Sequence, residues 1–545
     1  MSSPLAFTLT FLFLISTNLL LSEAASSNNQ TYNNFLECLI DQFQRSNSST
    51  NTIFTPQNAT YTALTFTDNF RVPATWPGKP DLVVAPRSVS EIQGAVLCSR
   101  ILGLQIKVKS GGHDYEGLSF FSTAGSEPFV VVNMINFRSV TIDEKANTAR
   151  VQPAATLGEL YQTISRTSKT LAFPAGACPT VGVGGHLLGG GYGMMSRKHS
   201  LASDHIVDAL LINADGEVLD RKTMGEDLFW AIRGGGGTSF GIILEFTVTL
   251  VTVPETITVF NVTRTLEENA TEVVHKWQHV AEKIDDNLLM RIFINPTNSP
   301  KTGSRTIEAS FTSLYLGKPS DLLTAVGGQF PELGLTEKDC VEMSWADSLL
   351  YFAYIENKTL DALLVKRPQG GPGAYFKGKS DFVSDPIPLS GLKEIWEFLI
   401  QVDGAQLELS PFGGALSNYS DEETPFPHRK GNLYMIHYGV LWRNSIEGEA
   451  SLSWTRGFYD YMARHVTKNP RAAYVNYRDL DIGRNGEGNS TNYEQARVWG
   501  ERYFKNNFKR LVCVKTKFDP SNLFRNEQSI PSLVGEVAAL TGNVV

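Results

Sequence analysis

Ser110-Gly111-Gly112-His113-Asp114-Tyr115 and Pro174-Ala175-Gly176-Ala177-Cys178-Pro179-Thr180-Val181-Gly182-Val183-Gly184-Gly185-His186 are the stretches on which the reading turns. In the first, a strand-like run ends at Lys109, and successive small residues then leave backbone N–H groups open, a nest suited to a pyrophosphate. His113 leaves the end of that nest, where a cofactor would lie. In the second, Cys178 stands in a Gly/Pro-rich loop able to lie flat against a ring, because glycine lets a backbone approach closely. Taken singly, each has a plainer reading: His113 as a turn residue, Cys178 as a small buried hydrophobe.

Around these loops short apolar runs alternate with helical patterns: Leu82–Ala85, Glu91–Leu102, Gln105–Lys109 and Phe129–Asn133. That alternation predicts an α/β or α+β domain. Gly-rich segments punctuate it at Ser110–Gly112, Gly182–Gly193 and Gly234–Gly241, where many of the 46 glycines gather. The character of the chain changes at Trp76-Pro77-Gly78 and again after Pro254. Beyond Pro254 longer strands are expected at Leu288–Ile294 and Ile307–Tyr315. Thr271–Ile284 places Val273, Val274, Trp277, Val280, Ala281 and Ile284 on one helical face. A last segment holds strand-like Ala472–Tyr477 and helix-like Tyr493–Phe508. The expected division is 1–25, 26–70, 71–253, 254–470 and 471–545, with 471–545 completing the unit 71–253 and 254–470 built on a mainly antiparallel sheet with helices.

With 545 residues, 42% hydrophobic and 19% charged, the chain is no disordered polymer. A net charge of −8 leaves no basic surplus for phosphates and argues against nucleic acid. Leu5 to Leu21 is mostly apolar and precedes Glu23, the first charged residue, with Ala24 and Ala25 following. This reads as a secretory signal peptide rather than a membrane anchor, since Thr and Ser interrupt the run and it is short of the ~20 apolar residues of a span. N-x-S/T triplets at Asn29, Asn47, Asn58, Asn261, Asn269, Asn357, Asn418 and Asn489 agree with a secretory route. Oxidising conditions then allow a disulfide, for which Cys38 and Cys98 are the chosen pair. Cys340 and Cys513 are expected to be buried thiols.

Several motifs fail in context. Gly182–Leu187 starts as G-x-G but has Leu187 where a dinucleotide fingerprint needs glycine. Gly237-Thr238-Ser239-Phe240-Gly241 matches G-x-S-x-G, yet a helix precedes it and a strand follows, the reverse of a nucleophile elbow. His275 and His279 have zincin spacing, but Lys276 stands where the catalytic Glu would be. No metal is expected.

The two loops, together with Trp76–Pro86, Asp227–Ile243, Pro425–Trp442, Asn476–Gly483 and Phe524–Pro531, closely resemble the berberine-bridge-enzyme-like family of plant flavoproteins. The resemblance spans about Phe35 to Pro531. It implies an α+β protein with a vanillyl-alcohol-oxidase, PCMH-type FAD domain and a substrate domain. It implies FAD bonded twice, His113 to the 8-methyl carbon and Cys178 to ring carbon 6; both side chains are nucleophiles. Ser110, Gly111, Gly112, Asp114, Thr180, Gly182, Gly184, Gly185 and Gly193 would cradle it, with Gly241 and Ile243 near its nucleotide end. The family's disulfide agrees with Cys38–Cys98.

In Tyr434–Arg443 the residues alternate across a strand. By resemblance the face Met435, His437, Gly439, Leu441, Arg443 looks toward the flavin. Tyr477 matches the family's active-site tyrosine, and Tyr115 and Tyr192 its flavin-side tyrosines. A tyrosine needs a neighbouring cation to act as a base near neutrality. Several relatives supply Lys where this chain has Met435; others supply Glu where it has Ser410. His437 is then either the substitute base or a polar substrate contact. Arg443 is a candidate for binding a phenolate or carboxylate, or faces solvent. Val181 leaves room for O2 at the reactive edge.

The expected protein is a secreted monomer without a membrane span, extracellular (apoplastic) or vacuolar. It oxidises a small plant metabolite, phenolic, prenylated or alkaloid, with possible ring closure, and makes H2O2. The alternatives are a carbohydrate or monolignol oxidase, a flavin-scaffolded non-redox cyclase, and a binding protein with a vestigial flavin.

Overall fold

Short apolar runs bounded by turns become parallel strands when both faces can be covered. Leu82–Val84, Phe129–Asn133 and Gln105–Lys109 lie side by side and parallel in the computed structural model, with Ile53–Phe54 antiparallel at the outer edge. All three parallel strands are buried along their whole length. The crossover helix Val89–Leu102 starts at Ser88, whose hydroxyl accepts from Glu91 N–H, and stops at Gly103, where φ is 67°. Helix 30–45 lies across it, burying Phe35, Leu39 and Phe43, and Gly94 lets Leu39 and Phe43 come close. Cys38 and Cys98 form the expected disulfide between these helices.

The structure describes residues 30–67, 69, 71–72, 78–123, 127–356, 358–364, 374–486 and 492–534. The expected signal peptide, Trp76-Pro77, Asn29, Asn357 and Asn489 lie outside them. Asn47, Asn58, Asn261, Asn269 and Asn418 are all exposed.

A second sheet is antiparallel, in the order Val140–Asp143, Thr148–Val151, Ile242–Thr249, Ile206–Ile212, Val218–Leu219. The third has seven antiparallel strands: Cys340–Met343, Ile257–Thr265, Arg305–Tyr315, Leu288–Asn298, Ala405–Pro411, Tyr434–Trp442 and Tyr375–Val383. Helices Ala270–Val280, Leu389–Leu399 and Gly448–Met462 pack on one face of it. Trp277, fully buried, donates to the Met290 carbonyl at 2.9 Å, and Trp396 to Thr271 Oγ1 at 3.0 Å. Truncating such a buried tryptophan to alanine costs about 3–5 kcal/mol. The opposite face, carrying Arg291, Phe293, Glu408, Met435 and His437, turns toward the glycine loops.

Three expectations are corrected. Ala472–Tyr477 is not a strand: Ala473 N–H donates to Arg502 O and Tyr474 N–H to Ser380 Oγ, so its donors go to a helix end and a side chain instead of a ladder. Tyr493–Phe508 is not one helix: it ends at Phe504, Lys505 has φ 45°, and Asn507–Phe518 begins anew. Phe508 folds back so tightly over Gly500 that a Cβ there would lie 2.3 Å from its ring. Cys340 and Cys513 are only half-buried. The last segment is tied to the first sheet, for Phe524 bridges Ile106 and the buried Lys515 ammonium donates to the Ser239 and Phe524 carbonyls.

Candidate active site

Between the glycine loops and the free face of the seven-stranded sheet lies a cavity of about 570 Å³. Its first wall is made by the two quoted loops. They cross backbone to backbone: a Cβ on Gly182 would lie 2.4 Å from Gly111 N, and one on Gly111 equally close to Gly182 N. A Cβ on Gly193 would lie 1.9 Å from Ala175 O, and one on Gly184 2.6 Å from Ser110 Oγ. Gly185 and Gly237 differ, because both line the cavity and nothing stands within 4 Å of an added Cβ. They leave an open, side-chain-free floor.

His113 and Cys178 both reach this cavity. His113 Nε2 is 2.9 Å and Cys178 Sγ 3.5 Å from one hydroxyl, Thr180 Oγ1, and the thiol is exposed. Two nucleophiles converging above an open glycine floor fit a flat ring with a phosphate tail, as FAD has. Asp114 lines the cavity as well, and its Oδ1 accepts from the Glu116 and Leu118 N–H groups. Ser110, Gly111, Gly112, Gly182, Gly193 and Val181 also line the space. Thr180 and Gly184 stand just behind the wall. Gly241 and Ile243 do not reach it: Gly241 is pressed against the Ile212 carbonyl and Ile243 is a buried strand residue paired with Leu211.

The opposite side is aromatic. Tyr115 stacks parallel to Tyr477 at 5.7 Å, and His437 lies against Tyr477 at 4.0 Å. Tyr192 donates to the Pro411 carbonyl at 2.5 Å and stacks on Phe412. Burial first, and then the charge of Glu408, push the Tyr115, Tyr192 and Tyr477 phenols well above their ordinary range. Met435 is buried in an apolar cluster beside Tyr192 and Tyr477 and brings no charge. His437 sits behind the tyrosines and is not part of the cavity lining. Burial lowers its affinity for a proton, and its Nε2 has no hydrogen-bond partner among the described residues. Arg443, past the end of its strand, is exposed and is not among the residues lining the cavity.

Sequence reading overlooked Glu408. It lines the cavity, with Oε1 3.0 Å from Ser410 Oγ and 3.3 Å from Arg291 Nη1. The alternation Gln406-Leu407-Glu408-Leu409-Ser410 is its signal, since Leu407 and Leu409 face the helices. Also overlooked was a buried charge network behind Tyr477. Lys377 Nζ bonds Asp479 Oδ1 at 2.6 Å and Glu116; Lys379 Nζ bonds Asp479 Oδ2 at 2.6 Å and Asp481 at 2.9 Å; Arg71 pairs with Glu116 at 2.7 Å. It fixes the loop that carries Tyr477.

Ser239 is buried, donates to Gly236 O and accepts from Ile530 N–H. Among the described residues no group of three or more His, Cys, Asp or Glu is placed to hold a metal, and no helix is long and apolar enough to cross a membrane.

Residues 80–221 match the FAD binding domain family and residues 473–531 the berberine and berberine like family. Berberine bridge enzyme-like 18 of Arabidopsis thaliana is 45% identical, over 96% of this chain and 97% of its own length. Tetrahydroberberine oxidase of Berberis wilsoniae is 44% identical over 94% and 96%. Among solved structures, Phl p 4, a grass pollen allergen with glucose dehydrogenase activity, superposes with a TM-score of 0.86 at 40% identity, covering 92% of this chain and 99% of that one. An isoleucine-to-valine variant of that allergen is a glucose oxidase. Full-length likeness at this identity, on a PCMH-type FAD-binding domain within an α+β architecture, places the chain in the berberine bridge enzyme-like family of FAD-dependent oxidoreductases.

Proposed function

We propose that the protein is a secreted oxidase of a plant specialised metabolite, phenolic, prenylated or alkaloid, that holds FAD through bonds to both His113 and Cys178 and passes electrons to O2 to give H2O2. The carrying observation is that imidazole and thiol flank one hydroxyl on a cavity whose far wall is aromatic with a single carboxylate.

Bound FAD supplies the acceptor for a hydride from a substrate C–H. The chain supplies the rest. The glycine floor leaves room for the cofactor, and two tethers would hold it without closing the pocket over it. Tyr115, Tyr477, Phe293, Phe352 and Tyr354 line the cavity with aromatic faces suited to a flat, bulky molecule, with the exposed Tyr354 at its mouth. The neutral tyrosines orient that molecule by donating hydrogen bonds. Val181 leaves space at the reactive edge; in the pollen allergen one methylene separates a dehydrogenase from an oxidase. The apolar Leu5–Leu21, the exposed sequon asparagines and the disulfide support glycosylation and delivery outside the cell or to the vacuole. The enzyme is read as a monomer.

A flavin-scaffolded, non-redox cyclisation is a second reading, favoured by Met435, which removes the lysine that would activate Tyr477. Anaerobic incubation with a panel of aryl alcohols, alkaloids, sugars and monolignols tests both. Oxidase function predicts bleaching of the flavin and, in air, stoichiometric peroxide. Product formed with the flavin held reduced would establish the cyclase instead.

A further inference from the structure

Opposite His113 the sheet presents an acid and a cation from adjacent strands. Phe293 stands in register with Glu408, so Arg291 and Glu408 meet diagonally across Leu288–Asn298 and Ala405–Pro411. Glu408 Oε1 takes both neighbouring donors, Ser410 Oγ and Arg291 Nη1, and Oε2 has no donor among the described residues. The Arg291 guanidinium lies over the Phe293 ring at 4.7 Å and near that of Phe352 at 5.8 Å, and its Nε is buried without a partner among the described residues. That Nε has no exposed surface, so a ligand meets the guanidinium through its terminal nitrogens, on the side where Arg291 lines the cavity. Together the pair offers the cavity one acceptor and one donor.

Other candidates for the base are weaker in environment or in position. The three tyrosines share an environment that keeps them protonated. Met435 is neutral, and His437 is packed behind Tyr115 and Tyr477, outside the lining. Resting on the oxidase reading above, we infer that Glu408 is the proton acceptor of this site and that Arg291 stabilises the oxygen anion as it forms. An acid–arginine pair on the sheet thus takes over from a tyrosine–lysine base. The substrate class follows: an aryl carbinol whose ring enters the Phe293–Phe352–Tyr354 slot and whose hydroxyl reaches the pair. Its O–H proton goes to Glu408 Oε2 and its C–H hydrogen leaves with two electrons to the flavin, so the C–O single bond becomes a carbonyl. O2 is the final oxidant, and Glu408 returns its proton to solvent.

The test uses the purified flavoprotein as wild type, Glu408→Gln, Arg291→Met and Tyr477→Phe. Benzoate binding, read from the perturbed visible flavin spectrum, reports the charges independently of turnover. Glu408→Gln should bind benzoate at least about tenfold more tightly than wild type, since a like charge is gone and Arg291 is left for the carboxylate; Arg291→Met should bind it no better than wild type. With 4-methoxybenzyl alcohol under anaerobic conditions, Glu408→Gln should bleach about 10²–10⁴-fold more slowly, and Tyr477→Phe less than about tenfold. Unchanged benzoate affinity in Glu408→Gln, or a larger loss in Tyr477→Phe than in Glu408→Gln, overturns the inference. A wild-type flavin that resists this alcohol but bleaches elsewhere in the panel overturns the inferred substrate class and leaves the oxidase reading standing.

Discussion

Gly182→Ala isolates one physical cause. The backbone there has φ −73° and ψ 135°, which alanine adopts freely, so only space opposes the new methyl. That methyl would lie 2.4 Å from Gly111 N and 2.7 Å from Gly111 Cα, both main-chain atoms with no side chain to swing aside. Ordinary contact begins near 3.4 Å, so the loops must part by about 1 Å. Overpacking of this kind costs about 1–3 kcal/mol. The larger consequence is chemical. Cys178 and His113 sit on the two loops being forced apart, and about 1 Å of misplacement is worth roughly 10²-fold in rate at a reacting pair. Gly182→Ala should therefore melt lower and carry clearly less flavin per polypeptide, measured as the ratio of visible to 280 nm absorbance. Gly457→Ala, inside the helix Gly448–Met462 and away from the cavity, has nothing within 4 Å of the added methyl and should melt no lower than wild type and keep its flavin. A Gly182→Ala protein with wild-type flavin content and melting temperature would refute the crossed-loop reasoning.

Further outcomes follow from other parts of the structure. Asp479→Asn should cost about 3–5 kcal/mol in denaturant unfolding, because it leaves Lys377 and Lys379 buried with fewer partners, and should slow turnover by loosening Tyr477; wild-type stability would contradict this. Burial pulls His186 down from 6.5 to about 4, and its neutral Nε2 accepts the Gly176 N–H at 3.0 Å. The neutral form's contribution is therefore present above about 6.5 and lost as pH falls toward about 4; with the ring partly open to the cavity this is about 2 kcal/mol, and His186→Gln should flatten that part of the stability–pH curve. Val181→Leu should slow reoxidation of reduced flavin by O2 about 10–200-fold and leave anaerobic bleaching near wild type, as stopped-flow absorbance would show.

The parts of the fold that could be read ahead are those where burial imposes a local pattern. Gln105–Lys109 and Phe129–Asn133 are bounded by turns and buried throughout, and they end where expected. Tyr434–Trp442 alternates because its sheet has one face under helices and one on the site. The glycines of the two loops stand out because close backbone approach demands glycine, whereas His113 and Cys178, taken singly, read equally well as a turn residue and a small buried thiol, and only the family resemblance gives them a common role. Glu408 lies on a visible alternation, but it shares that face with Gln406 and Ser410, and nothing local separates an acid facing a cavity from one facing solvent. Lys377 and Lys379 had no local signal at all: two lysines spaced by two on an edge strand read as solvated, and only Asp479 and Glu116, distant in sequence, bury them. Ala472–Tyr477 has strand-like composition but spends its donors on tertiary partners. Lys505 looks like any helical residue; the fold of Phe508 over Gly500 breaks the helix there.

A flavin bonded through both His113 and Cys178 stays with the polypeptide when the fold is destroyed. Acid precipitation of the purified protein, followed by visible spectra of pellet and supernatant, tests it directly. Wild type, His113→Ala and Cys178→Ala should each keep the yellow colour with the denatured polypeptide, and the double variant should release it. A wild-type pellet that comes down colourless, with all the flavin in the supernatant, would contradict the account.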